Sequence, residues 1–283
     1  MFGGMRSETY NNCFNLTPMV QVKQMLGGFN TGNKMQLIHG DCLEKMKDIP
    51  DKSIDTIICD LPYGTTACKW DVVIPFEPLW EQYKRIIKDN RAIVLFSSQP
   101  FTTSLINSNI TQFKYEWIWE KHQGTNPMLC NVQPMKIHEN ICVFSKNSHL
   151  YNPQFGVGKK YGGYESSGSI GEVYGDTKFN GHKSNDGKRY PTSILKFRGM
   201  KYDGGLHPTQ KPIPLLETLV KTYSNEGDTI LDNCMGSGST GIACLNTKRN
   251  FIGIEKEEKY FEIAKNRIES HHKNDIKTNK FFI

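Results

Sequence analysis

No run in the chain approaches the roughly 18 consecutive apolar residues that a membrane-spanning helix requires. The stretch 1–34 is polar and rich in Gly and Asn, and it lacks the apolar core of a secretory signal. The expectation is therefore a cytoplasmic protein with no membrane partner. The eight cysteines form no C-x-x-C pair, so neither a structural zinc nor a redox dithiol is signalled, and no metal site is expected. Nothing repeats at a fixed period, which argues against a solenoid or propeller. No Lys follows the glycines near 236–241 as G-K-[S/T], so a phosphate-binding loop of that type is disfavoured.

What is present is enough for one large domain, or one domain with a lobe: 283 residues, 37% of them hydrophobic. The net charge is +6, a modest pointer to a polyanionic partner. Its distribution says more. From Lys146 to Asp203 there are ten Lys/Arg against five Asp/Glu, in a Gly-, Ser-, Asn- and Tyr-rich stretch with no clear period. A solvated loop region is the plain alternative for that stretch.

On either side of it the pattern is regular. Short β-branched runs such as Asp55 to Cys59 and Arg91 to Phe96 have the composition of buried strands. Pro75 to Lys88 carries Phe76, Leu79, Tyr83, Ile86 and Ile87 at near-helical spacing. After 205, helix Ile213 to Tyr223, strand Thr229 to Leu231, helix Ser239 to Asn246, strand Asn250 to Ile254 and helix Glu257 to Glu269 follow in turn. Alternating strands and helices predict an α/β fold with a mainly parallel sheet. Cys59 is expected to be a small core residue.

Two motifs carry chemistry. In the first, a strand ending at Asp232 enters Gly236-Ser237-Gly238-Ser239-Thr240-Gly241 and opens a helix, which fits G-x-G-x-x-G. Glycines let a ligand approach the backbone, and Glu255, ending the next strand, is placed to accept hydrogen bonds from two ribose hydroxyls. An adenosine-type cofactor is implied. Asp232 would repel a pyrophosphate but suit a cationic group such as the amino end of a methionine moiety. The second motif is Asp60-Leu61-Pro62-Tyr63, directly after a buried strand. Pro62 biases Leu61 towards extended geometry, which sets the Leu61 carbonyl beside the Asp60 carboxylate. Two acceptors match the two hydrogens of an amino group, and Tyr63 offers a face on which a planar base can stack. Accepting both hydrogens also stabilises the positive charge that develops as such a nitrogen is alkylated. Taken alone, the tetrapeptide is a capped turn.

Together these motifs resemble the β-type amino-group DNA methyltransferases, in which a D-P-P-Y loop precedes a target-recognition segment and the cofactor loop comes last. The likeness covers roughly 36–270, with Leu61 in place of the first Pro. Only the main-chain carbonyl is used there, so no demand falls on the Leu61 side chain. His207-Pro208-Thr209-Gln210-Lys211-Pro212 is similar to the family element at the methionine end of the cofactor, where Thr209 and Lys211 would hold its carboxylate. Gly40-Asp41-Cys42 is similar to the element near the adenine, and Trp119-Glu120-Lys121 and Glu139-Asn140 to Lys146 are similar to segments bordering the target pocket.

The resemblance implies a Rossmann-like methyltransferase fold and S-adenosyl-L-methionine as cofactor, with double-stranded DNA as partner and a base flipped out of the helix. It implies catalytic roles for Asp60, Leu61, Pro62 and Tyr63. Cofactor contacts are implied at Asp41, Cys42, Thr209, Lys211, Asp232, Gly236, Gly238, Ser239, Thr240 and Glu255. The corresponding divisions are a flexible extension (1–34), a catalytic half (35–146), a target-recognition insertion (147–205), a cofactor-binding half (206–270) and a fraying tail (271–283). Within the insertion, Lys159, Lys160, Lys188, Arg189, Lys196 and Arg198 are the cations available to DNA, interleaved with Tyr161, Tyr164 and Tyr174. N6 of adenine is favoured over N4 of cytosine. A nicotinamide-dependent oxidoreductase would use the glycine loop and leave Asp60 to Tyr63 idle; a non-catalytic DNA-binding protein is the third reading. Members of the family often dimerise, and many accompany a restriction endonuclease; no residue pattern here demonstrates either partner.

Overall fold

The computed structural model describes residues 33–279 except 67, 69, 70, 161, 163, 170–177, 183–185 and 199–209; for 164–169, 178–182 and 273–279 it describes the backbone alone. Twelve strands and six α-helices are seen among these residues. In chain order they are β1 (Met35–His39), α1 (Cys42–Met46), β2 (Thr56–Asp60), α2 (Phe76–Ile86), β3 (Ile93–Ser97), α3 (Phe101–Ser108), β4 (Phe113–Thr125), β5 (Lys136–Phe144), β6 (Gly156–Val157), β7 (Tyr164–Ser169), β8 (Lys178–His182), β9 (Lys188–Arg189), β10 (Ile194–Lys196), α4 (Ile213–Tyr223), β11 (Thr229–Asp232), α5 (Ser239–Asn246), β12 (Asn250–Glu255) and α6 (Glu258–Asn279).

Eight strands form one sheet in the order β1-β12-β11-β2-β3-β5-β4-β10. Every neighbouring pair is parallel except those made by β5, which runs against β3 and β4. A strand buried on both faces must be apolar throughout, and the central strands are. In β2, Ile57 and Cys59 enter one core and Ile58 the other; in β3, Val94 and Phe96 oppose Ile93 and Leu95. Helices α1, α2 and α3 cover the first face through Met46, Leu79, Trp80, Tyr83, Ile86, Phe101 and Leu105. Helices α4, α5 and α6 cover the second through Leu215, Leu216, Leu219, Tyr223, Ile242, Ala264 and Ile268. The result is a doubly wound α/β sheet, the expected class, and Cys59 is a core residue in it.

Three local readings need revision. The Gly-rich stretch, for which a solvated loop was the plain alternative, contributes to the sheet itself. Its residues Ile194 to Lys196 pair with Ile118 to Glu120 as the edge strand β10, and Leu195 is buried in the core. Two short antiparallel pairs, β6–β9 and β7–β8, lie within the same stretch. β6, β9 and β10, of two or three residues, are too short to show a hydrophobic period, and β7 and β8, of six and five, are rich in Ser and Gly or Lys, Asn and His, so composition alone could not find them. Helix α6, expected to end at Glu269, continues to Asn279. Lastly, the Leu61 side chain is buried in the same core as Cys59 and Leu79, so the fold does make a demand on it.

Candidate active site

Parallel sheets gather ligands at the carboxyl ends of their strands. Here β2 ends at Asp60, β11 at Asp232 and β12 at Glu255, on one rim. A cavity of about 930 Å³ opens there. One end is lined by Asp41, Cys42, Glu255 and the turn from Asp232 to Ser237; the other by Asp60 to Tyr63, Phe96, Trp119, Lys121, Glu139 and Lys211.

The glycine turn is built by the main chain. Gly236 and Gly238 have φ of +51° and +77°, left-handed values that favour glycine. At Gly238 there is a second reason: a Cβ would lie 3.0 Å from Ala264 and Ile268, so the residue lets α6 close on α5. Ser239 and Thr240 begin α5. Ser239 Oγ accepts from Arg267 at 3.0 Å, and the Thr240 hydroxyl donates to Asp232 Oδ2 at 2.6 Å. Asp232 Oδ1 also accepts the Cys234 N–H at 3.2 Å. Burial dominates and pushes the Asp232 carboxyl up to about 7, against the pull of those hydrogen bonds. Asp232 therefore lines the cavity with both oxygens already engaged.

Glu255 is held in the same manner. Its Oε2 accepts the Gly236 N–H at 2.8 Å and its Oε1 the Glu257 N–H at 2.9 Å. Each oxygen retains a further lone pair. Burial raises this carboxyl, with the main-chain N–H groups opposing. Asp41 caps α1 by accepting the Leu43 N–H at 3.0 Å, and Cys42 starts that helix.

The other end is built by side-chain charge. Asp60 Oδ1 accepts the Tyr63 hydroxyl at 2.7 Å, and Oδ2 accepts the Lys211 ammonium at 2.5 Å. Lys211 also pairs with Glu139 Oε2 at 3.2 Å, and Glu139 Oε1 accepts from Lys121. Burial pushes the Asp60 carboxyl up, and the Lys211 charge acts against it. Burial would depress Lys211, but Asp60 and Glu139 hold it up at about 12. Burial likewise works against an ionised Glu139, yet Lys211 and Lys121 keep its carboxyl below the usual range.

Tyr63 stacks on Phe101 with ring centroids 5.2 Å apart, so one of its faces is taken. The loop beyond it is pinned by Asp71, whose carboxylate accepts the N–H groups of Gly64, Thr65 and Thr66 at 2.7–2.9 Å.

The expected residues thus fall on one cavity, with three departures. Gly238 is not among the residues that line it and packs against α6 instead. Lys211 lies against Asp60 and Glu139 instead of standing free to hold a cofactor carboxylate, because its ammonium reaches the two buried anions. Thr209 is outside the described residues, as are Tyr161, Tyr174 and the side chain of Tyr164. The basic residues of the Gly-rich stretch are partly engaged: Lys196 pairs with Glu120 at 3.2 Å and Lys188 with Asp186 at 3.6 Å, while Arg189 donates to the Lys159 carbonyl. Arg198 lines the cavity. Sequence reasoning assigned no role to Asp71, Phe101, Lys121 or Glu139. The last two lie in segments noted as bordering the target pocket; the first two carry no motif.

Comparisons with known proteins agree with this geometry. A family model described as DNA methylase, of the N6/N4 type, matches residues 54–266. The type II methyltransferase M.HpaI of Haemophilus parainfluenzae is 27% identical over 254 residues, 83% of this chain and 74% of its own. The DNA adenine methyltransferase YhdJ of Escherichia coli strain K12 is 27% identical over 265 residues, 84% of each chain. Among solved structures, the M1.HpyAVI–SAM complex superposes with a TM-score of 0.57 at 26% identity, covering 82% of this chain and 99% of that one. The cytosine-N4-specific PvuII DNA methyltransferase, at 14% identity and a TM-score of 0.59, covers 81% of this chain and 84% of its own and shares the fold. The family match spans well over half of the chain and includes both the Asp60–Tyr63 loop and the glycine turn: the protein belongs to the N6/N4 DNA methylase family.

Proposed function

We propose that this chain transfers the methyl group of S-adenosyl-L-methionine to N6 of an adenine flipped out of double-stranded DNA. The observation that carries the reading is the placement of Asp60 and the glycine turn with Glu255 on one rim, facing one cavity. The donor set fits the cofactor. Glu255 keeps two lone pairs for ribose hydroxyls, Asp41 and Cys42 border the adenine end, and Asp232 offers a buried carboxylate to a cationic amino group. The cavity is in the size range of pockets that enclose a ligand of this kind. When bound, the cofactor supplies an electrophilic methyl group.

The protein's own residues do the rest. Asp60 and the Leu61 carbonyl accept the two hydrogens of the target amine. This localises the nitrogen lone pair and stabilises the positive charge that develops on nitrogen. The face of Tyr63 turned away from Phe101 stacks the base and Phe101 backs that ring, so orientation is set before reaction. Lys211 is assigned here to Asp60 and not to the cofactor carboxylate. Similarity to YhdJ supports adenine over cytosine, and the type II relatives support a companion restriction endonuclease. A homodimer is kept as the assembly implied by the family resemblance. Among the described residues no helix is long and apolar enough to cross a membrane; a site of action on DNA in the cytoplasm is part of the proposal.

The test is expression in cells that lack DNA methylation, followed by modification-sensitive sequencing. N6-methyladenine at one recurrent sequence is the expected result. N4-methylcytosine would move the assignment to the other base. Unmodified DNA, with the purified protein binding NAD and not S-adenosyl-L-methionine in calorimetry, would overturn the reading.

A further inference from the structure

The catalytic loop is one end of a chain of four charges, one buried and three partly buried, contributed by four separated segments. Lys121 from β4 donates to Glu139 of β5; Glu139 pairs with Lys211, which precedes α4; and Lys211 donates to Asp60 at the end of β2. The side chains of Lys121, Glu139 and Lys211 are 19%, 13% and 8% exposed, so water screens them little. Aromatic rings enclose the cations. The Lys211 ammonium lies 5.1 Å from the centre of Phe96, 5.9 Å from Tyr63 and 6.0 Å from Trp119, and that of Lys121 lies 5.1 Å from Trp119. Two positive and two negative charges balance.

We propose that Glu139 is a positioning residue for methyl transfer: with Lys121 it anchors the Lys211 ammonium on Oδ2 of Asp60, which fixes the carboxylate plane and reserves Oδ1 for the target amine. This rests on the reading of Asp60 as the amine acceptor. The two oxygens of Asp60 are occupied unequally. Oδ2 holds an ammonium, a charge-assisted contact about twice as strong as a neutral one. Among the described residues Oδ1 holds only the Tyr63 hydroxyl, which an incoming amino group can replace or join. An amine arriving at Oδ1 thus meets an acceptor whose orientation is already set. Lys211 has a single long stem with rotatable bonds, and Asp60 alone would not hold it. Glu139 supplies the second anion, and Lys121 holds Glu139 in turn.

The groups facing the Asp60–Glu139 pair are Lys121 on β4, Lys136 on β5, Cys59 on β2, Tyr63, Lys211 and Asp232 on β11. Removing one charge from the chain has a sign. Glu139→Gln deletes a negative neighbour of Asp60, so Asp60 ionises more readily and the acid limb of the rate profile moves to lower pH. Lys211→Met deletes the positive neighbour and moves that limb to higher pH. A purely structural role predicts no such opposition.

The test is single-turnover methyl transfer to duplex DNA by the full chain, from pH 5 to 9, in wild type, Glu139→Gln and Lys211→Met. Thermal melting and calorimetry with S-adenosyl-L-methionine accompany it. For Glu139→Gln the expected loss in the transfer rate is on the order of 10²-fold, the scale set by misplacing a reacting group. Cofactor and DNA affinities are expected to stay within about threefold, the signature of an interaction used in the transition state. Lys121→Met, at the far end of the chain, provides the same readout should Glu139→Gln fail to fold: the transfer rate falls with affinities retained. An unchanged rate in the folded variant, or acid limbs that do not move in opposite directions, would overturn the positioning role while an active wild type keeps the reading of the site. A wild type that transfers no methyl group overturns both.

Discussion

The cavity is made by different means at its two ends. Beneath the glycine turn, main-chain groups do most of the work: Gly236 and Glu257 donate their N–H groups to Glu255, and Cys234 donates to Asp232. These contacts come from one β-turn-α-β unit spanning 229–257. At the catalytic end the orienting groups are side chains from β2, β4, β5 and the segment before α4, and they hold one another by charge. A ligand recognised by its shape and hydroxyls is met by rigid backbone. In the function proposed above, a reaction that creates positive charge is met by an anion whose charge and orientation are set by neighbouring ions.

That contrast yields ordered expectations. The sharpest is a separation of binding from chemistry. Asp60→Ala should lower methyl transfer by at least about 10³-fold, while calorimetry shows S-adenosyl-L-methionine binding close to that of wild type. Transfer that survives this change would remove Asp60 from the mechanism and blur the two ends into one. The converse variant, Glu255→Ala, should weaken cofactor binding by about 10- to 100-fold through loss of charged hydrogen bonds. Its transfer rate at saturating cofactor should stay near that of wild type; a rate that falls as far as the affinity would place Glu255 in the chemical step.

The third expectation uses Asp232, whose carboxyl is raised to about 7 by burial. A cationic ligand group prefers the ionised form. Cofactor affinity should therefore be highest above pH 7 and fall by up to about tenfold per unit below it. A calorimetric titration series from pH 8 to 6 measures this, and a flat profile would show that the ligand does not sense Asp232. The last effect is one on stability and belongs to the scaffold. Gly238→Ala should cost about 1–3 kcal/mol, because the Cβ presses on Ala264 and Ile268 at a positive φ. Denaturant unfolding reports it, with catalysis of the folded fraction retained.

Different parts of the site were legible to different degrees. The strand–glycine turn–helix pattern and its acid were visible because the turn is local: the glycines at 236 and 238 both lie in the short stretch between the strand end at Asp232 and the helix start at Ser239. The D-L-P-Y loop was visible as a motif, and its chemistry followed from residue type. Lys211 was found but its pairing with Asp60 was not, since nothing local to 207–212 says that Asp60, 151 residues away, lies beside it. Asp71 and Phe101 had no pattern at all. Asp71 acts through the carboxylate it offers to three consecutive N–H groups, and Phe101 through the face it presents to Tyr63.

By itself, then, the sequence determined the parallel α/β architecture, the order of its motifs and the acids that stand on the cavity rim, Asp60, Asp232 and Glu255. Those features depend on hydrophobic periodicity, on backbone freedom at glycine and on short-range spacing. Only the tertiary structure decided that Leu195 closes the sheet edge, that Leu61 anchors the catalytic loop in the core, and that Lys121, Glu139 and Lys211 converge on Asp60. Charge pairing between distant segments leaves no local trace, because Coulomb attraction depends on separation in space, and the sheet order sets that separation.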